Sequence, residues 1–210
     1  THYLWINDDT HVVPDALARL LAQADSLELA DGRPAIVIGA TAERGTSRIT
    51  YGGRVSTSRW RPFRYSLVWS EREAIACQAM EGNCVLIPRA VAQRVGNLDP
   101  AFEHAMGDTD YGLRARDCGF GLYVAPGVIG YCSVNPTGGT YFDTTLPLAR
   151  RWQLIRSRKG LPVRSWLHFT RRHGGALWPV QFVWPYAKLL FSGLRGAVQR
   201  RPASAARSAP

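Results

Sequence analysis

Past Asp143 the chain contains no acidic residue at all. All 16 Asp and Glu lie within residues 1–143 beside 13 Lys and Arg, and the other 13 basic residues follow them. The net charge of +10 is therefore carried by the last third alone. A nucleic-acid module interleaves basic side chains with exposed aromatics along one surface, and the acidic first part excludes that partner. Cysteine is sparse as well: Cys77, Cys84, Cys118 and Cys132 show no CxxC spacing. Neither a zinc cluster nor a disulfide framework is expected, and the compartment reads as reducing and cytoplasmic. There is no internal repeat and no coiled-coil heptad pattern. The opening Thr1-His2-Tyr3-Leu4-Trp5 has no initiator Met, basic leader or signal-type apolar run, so a preceding segment is expected.

What is present reads as one domain with an appendage. Tyr3-Leu4-Trp5-Ile6 is a short apolar run ending abruptly in Asn7-Asp8-Asp9-Thr10, the pattern of a buried parallel strand that delivers polar residues to its carboxyl end. Pro14 opens a helix with Leu17, Leu20, Leu21 and Ala24 as its stripe, and Asp31-Gly32 closes it. Ala35 to Ala40 reads as a second buried strand, which makes a βαβ unit. Alternation around Tyr51-Gly52-Gly53-Arg54 predicts a hairpin inside an excursion over the sheet from Ser47 to Ala79. Asn83 to Ile87 is a further strand, and Pro88 to Gly96 brackets a short helix. Leu122 to Val124 and Val128-Ile129 predict the last strands.

Two acidic clusters stand about 100 residues apart: Asn7-Asp8-Asp9 after a strand, and Asp108 with Asp110 in Gly107-Asp108-Thr109-Asp110-Tyr111-Gly112-Leu113-Arg114. A strand-end carboxylate suits a hard cation, since Mg²⁺ takes only one or two carboxylates and completes its octahedron with phosphate and water. The plainer alternative makes Asp8 and Asp9 an Asx-turn before the helix at Pro14. In the second cluster Asp108 takes the N-cap position, Asp110 lies in the first helical turn, and Leu113 and Cys118 face a core. Arg114 pairs with Asp110 or Asp117 along the helix, or else reaches a phosphate.

On these motifs the chain resembles the family 2 glycosyltransferases, inverting enzymes of GT-A fold. Tyr3 to Thr10 (YLWINDDT) resembles their strand ending in a DxD-type metal motif, and Met80 to Pro88 (MEGNCVLIP) their strand with a Gly beneath the acceptor. Val95 to Phe102 (VGNLDPAF) and Gly107 to Arg114 (GDTDYGLR) resemble the turn and the catalytic segment that follow, and Tyr123 to Ile129 the strand pair after them. The likeness spans roughly residues 1–135. It implies a GT-A-like mixed, mostly parallel sheet with flanking helices, a nucleotide-sugar donor, and a glycan or lipid-linked acceptor. It also implies a divalent metal, Mg²⁺ or Mn²⁺, at Asp9, with Asn7 and Asp8 on the donor and Gly82 and Asn83 on the acceptor. Asp108 becomes the general base, with Asp110 behind it as orienter. The departures are Asn7 and Gly107, where the family carries Asp and Glu, and Cys132, where many members carry His. The family's first βαβ half, with its base-reading Asp, has no counterpart here.

Residues 144–210 read as a basic helical extension to a catalytic part at 1–143. Helices are expected over Leu146 to Arg158, Pro162 to His173 and Trp178 to about Val198, with a disordered end from Pro202. The aromatic last helix is interrupted by Pro185 and flanked by arginines, which predicts peripheral docking on the inner face of a membrane. Two rival readings are a metal-dependent phosphohydrolase, which wants more ligands than this sequence offers, and a non-catalytic membrane-docking fragment.

Overall fold

The structure is a computed structural model describing residues 2–61 and 63–199, with 193–199 described by backbone alone. Strands β1 (His2–Ile6) and β2 (His11–Val12) precede helix α1 (Ala16–Asp31) and strand β3 (Ile36–Ala42). Strands β4 (Ile49–Tyr51), β5 (Gly53–Ser56), β6 (Tyr65–Val68), β7 (Ile75–Ala76), β8 (Ala79–Met80) and β9 (Cys84–Pro88) follow. Helices α2 (Arg89–Val95) and α3 (Gly107–Asp117) lead to the long strand β10 (Leu122–Tyr131). The extension forms α4 (Leu148–Ile155), α5 (Val163–His173) and α6 (Trp178–Gln199). The Ala/Ser/Pro-rich end from Pro202 lies outside the described residues.

The main sheet runs β1-β9-β3-β10-β2, with β4 on β3 and β7 on β10. It is a mixed sheet with flanking helices, the GT-A-like architecture: β1, β3 and β10 share a direction, and β9 runs against both β1 and β3. The βαβ unit is present with β9 inserted between its two strands. Continuous apolar sequence buries β3 on both faces, and all seven of its residues are buried.

Several local expectations are corrected. β1 is an edge strand rather than a buried one, with Tyr3 55% and Leu4 and Ile6 each 41% exposed, because among the described residues only β9 pairs with it. The buried stripe of α1 is Ala16, Leu20 and Ala24, and Leu17 is exposed, since an i, i+4 row excludes the next residue around the helix. Residues 51–54 form no hairpin turn: β4 pairs with β3, then β5 enters a second sheet of order β6-β5-β8. Gly53 allows this crossing, because a Cβ there would collide with the side chains of Val124 and Cys77. The hairpin is β5 with β6. Leu122 to Ile129 is one bulged strand instead of two, tied by Arg19, whose guanidinium donates to the carbonyls of Pro126 and Val128 at 2.7 and 2.9 Å.

Two apolar clusters cover the faces of the main sheet, one built on Ile36, Ile38 and Met80 and the other on Leu20, Val37 and Leu86. A third belongs to the extension: Ile155, Trp166, Phe169, Tyr186 and Leu189 pack with Phe63, Phe102, Met106 and Leu113. Leu113 of α3 therefore faces a core, as its position predicts, but Cys118 is exposed.

Candidate active site

The site forms where strand ends converge on the corner Gly82-Asn83. The backbone N–H of Asn7, just past β1, donates to the Asn83 carbonyl at 3.2 Å, so the end of β1 abuts the start of β9. Asn83 is itself buried, and its amide donates to Cys132 Sγ at 3.4 Å. β2 pairs with the end of β10, which brings Asp9 beside Cys132. Asn7, Asp8 and Asp9 are exposed on the turn between β1 and β2, closed by the Thr10 N–H on the Asn7 carbonyl at 3.1 Å. Asp9 opens into a cleft of ≈ 400 Å³ shared with His11, Arg44, Tyr131 and Asn135.

Asp108 meets this corner from the other side. Gly82 N–H donates to Asp108 Oδ2 at 3.0 Å, and Thr109 N–H donates to Oδ1 at 2.7 Å. Asp108 is not the N-cap: the chain enters α3 through Met106, whose φ of 73° is left-handed, so the helix starts at Gly107 and Asp108 falls in its first turn. Gly82 has no room for a side chain there, because a Cβ would approach the Trp5 indole to 2.9 Å. Trp5 in turn stands edge-on to Tyr111 of α3 at 6.3 Å.

Asp110 is placed differently. It is 0% exposed, and its carboxylate is held by donors on three side chains: Arg114 Nε at 2.8 Å on Oδ2, and Arg172 Nη1 and His173 Nε2, each at 2.8 Å, on Oδ1. Burial alone would raise its pKa, but the hydrogen bonds from His173, Arg114 and Arg172 outweigh it and hold the carboxyl below its ordinary value. Arg114 also donates from Nη1 and Nη2 to the carbonyls of Val95 and Asn97, which fixes it as the helix ion pair with Asp110.

Three further groups border the corner. Glu81 accepts from Arg54 at 2.7 Å, and burial nevertheless raises its pKa, with Asp108 adding to the rise. The Tyr51 hydroxyl accepts from the Asn135 N–H at 3.2 Å and feels the charges of Glu81 and Asp9. The thiol of Cys132 is raised by burial and by Asp9 beside it, which keeps it protonated. An acid directly before the Gly of a strand motif was the one signal for Glu81. Tyr51 left none.

An acid-lined corner at strand ends, backed by a helix that presents a half-buried carboxylate, lies where open α/β sheets place their ligands. The model for glycosyl transferase family group 2 matches residues 3–202. The chain belongs to that family, and its class of reaction is glycosyl transfer. No curated protein matches the sequence.

Proposed function

We propose that the protein transfers a sugar from a nucleotide-diphosphate donor to a hydroxyl of a glycan or lipid-linked acceptor, with inversion at the anomeric carbon. The observation that carries this reading is the 3.0 Å bond from Gly82 N–H to Asp108 Oδ2, which joins the acceptor-side corner to the catalytic helix. Asp108 takes the proton from the attacking hydroxyl on Oδ2, which keeps a lone pair beyond the one the Gly82 N–H occupies, while Oδ1 accepts from the Thr109 N–H and hydroxyl. Gly82 lines the acceptor side, and Asn83 supports it from beneath. The acceptor oxygen forms the new glycosidic bond as the donor's diphosphate leaves with the electron pair of the old one. A nucleoside diphosphate departs without a second carboxylic acid, unlike the leaving group of a glycosidase.

Among the described residues no group of three or more His, Cys, Asp and Glu converges on a point that could hold a metal. The exposed Asp9 carboxylate on the turn after β1 would hold an ion whose other positions phosphate and water complete. A bound Mg²⁺ or Mn²⁺ would neutralise charge on the departing diphosphate, and Asp8 and Asn7 would meet the donor beside it. A two-metal phosphohydrolase site needs a denser set of side-chain ligands.

The membrane partner belongs to the same proposal. On α6 and the turn before it, Leu177, Val180, Val183, Trp184 and Phe191 are exposed, with Lys188 among them. No described helix is long and apolar enough to cross a membrane. An exposed apolar stripe in a segment without acids supports peripheral docking on the anionic inner face of a membrane.

The test is titration of nucleoside diphosphates and nucleotide sugars with and without Mn²⁺, using parent and Asp9→Ala chains. Mn²⁺-dependent binding that the variant loses supports the reading. Equal Mn²⁺-dependent affinity in both removes Asp9 from the metal, and released inorganic phosphate would make the protein a hydrolase.

A further inference from the structure

The basic extension sends one face of α5 into the catalytic helix. Ser165, His168, Arg172 and His173 recur at helical spacing, and every one of them bonds to the segment that carries Asp108 or to the turn before it. Ser165 Oγ donates to the Ala101 carbonyl at 2.7 Å, and His168 Nε2 lies 3.0 Å from Asp99 Oδ2. Arg172 bridges two carboxylates, with Nη2 at 2.7 Å from Asp99 Oδ2 and Nη1 at 2.8 Å from Asp110 Oδ1. His173 Nε2 completes the set at 2.8 Å from Asp110 Oδ1, with its side chain only 5% exposed.

Asp99 and Asp110 supply two negative charges, and Arg114 and Arg172 supply two positive ones. The Ala101 N–H, then His168 and Arg172, hold the Asp99 carboxyl well below the ordinary range, so both acids stay ionised and the bridge stays charged. A planar guanidinium clamping two carboxylates fixes orientation as well as distance. Asp110 lies two residues from Asp108 in the same helical turn, so whatever orients Asp110 orients Asp108 against Gly82.

We propose that Arg172 and His173 are positioning residues of the transferase site: through Asp110 they fix the pose of α3 that holds Asp108 against the Gly82 N–H, so the extension is a working part of the catalytic apparatus. The proposal rests on the reading of Asp108 as the base. It assigns Asp110 no proton transfer, because donors on three side chains already occupy its buried carboxylate.

The test uses the full chain and two readouts, amide exchange at Gly82 by NMR and steady-state transfer. Arg172→Lys keeps the charge but loses the planar fork, and His173→Ala removes one donor, so both variants are expected to fold. Exposed Arg164 on the same helix serves as the control, as Arg164→Ala. Expected for Arg172→Lys and His173→Ala are faster exchange at Gly82 and a kcat lower by about 10- to 100-fold with donor KM within about twofold, as for a displaced catalytic group. Arg164→Ala should match the parent in both. Parental exchange at Gly82 in both positioning variants overturns the proposal, as does a raised KM with kcat intact. A parent that transfers no sugar overturns the reading of Asp108 instead, and the exchange measurement still decides the positioning.

Discussion

The backbone N–H of Gly82 donates to Oδ2 of Asp108 at 3.0 Å, across 26 residues of sequence. That one bond joins the two motifs on which the functional reading stands, and it separates the roles of charge and shape at Asp108. Asp108→Asn retains a side-chain oxygen for one of the two backbone donors, so its melting temperature should stay close to the parent's. Turnover should fall by about 10² to 10⁴, the usual share of general-base catalysis. Near-parental turnover would take Asp108 out of the reaction.

Gly82→Ala tests the other partner. The added Cβ meets the Trp5 ring at 2.9 Å, and overpacking of this kind costs about 1–3 kcal/mol. The variant should melt lower and lose activity together, because the indole and the Gly82 N–H cannot both keep their places. Trp5→Leu added to Gly82→Ala should restore part of the melting temperature. A single variant as stable as the parent would show that the corner tolerates a side chain.

The cluster around Asp110 predicts the acid limb of the stability curve. The folded-state pKa values of Asp110 and Asp99 are depressed, so their stabilisation is fully present above the unfolded Asp value of about 3.9 and is lost as pH falls through the lower folded values. Denaturant titrations from neutral pH downward should show stability declining from about pH 4. Asp110→Asn should flatten that decline, and should cost about 3–5 kcal/mol at neutral pH because Arg172 and Arg114 lose their common partner. An unaltered acid limb in Asp110→Asn would assign the pH dependence to other carboxylates.

Membrane docking calls for a finer cut than deleting residues 144–210. That deletion would strip Arg172 and His173 from Asp110 and remove the third apolar cluster, so a lost anchor and a collapsed fold would look alike. Val180→Ser with Phe191→Ser changes only exposed positions, at 63% each, and stability should move by no more than about 0.5 kcal/mol per site. Co-sedimentation with anionic vesicles should drop sharply while the melting temperature holds. Unchanged sedimentation at low salt would move the docking surface elsewhere.

Local rules in the sequence were enough to place the strand ends at Asn7-Asp8-Asp9 and Gly82, the helix carrying Asp108 and Asp110, and the three helices of the extension, but they left Arg114 between Asp110, Asp117 and a phosphate, and the fold chose Asp110. Strand runs, proline starts, glycine stops and i, i+4 spacing act over a few residues, and motif order carried the family. The exposure of β1 was beyond such rules, because an apolar run reads the same at an edge as at a centre and only its neighbours differ. The bulge that makes β10 one strand depends on Arg19, 107 residues from Pro126. Asp110 shows the divide most sharply: its place in the first turn was legible, whereas its partners Arg172 and His173 lie 62 and 63 residues away. A run of basic residues reads as a solvated or membrane-facing surface until the fold turns one of its faces inward. Composition sets how many charges the extension carries, and only packing decides which of them are spent on a buried carboxylate.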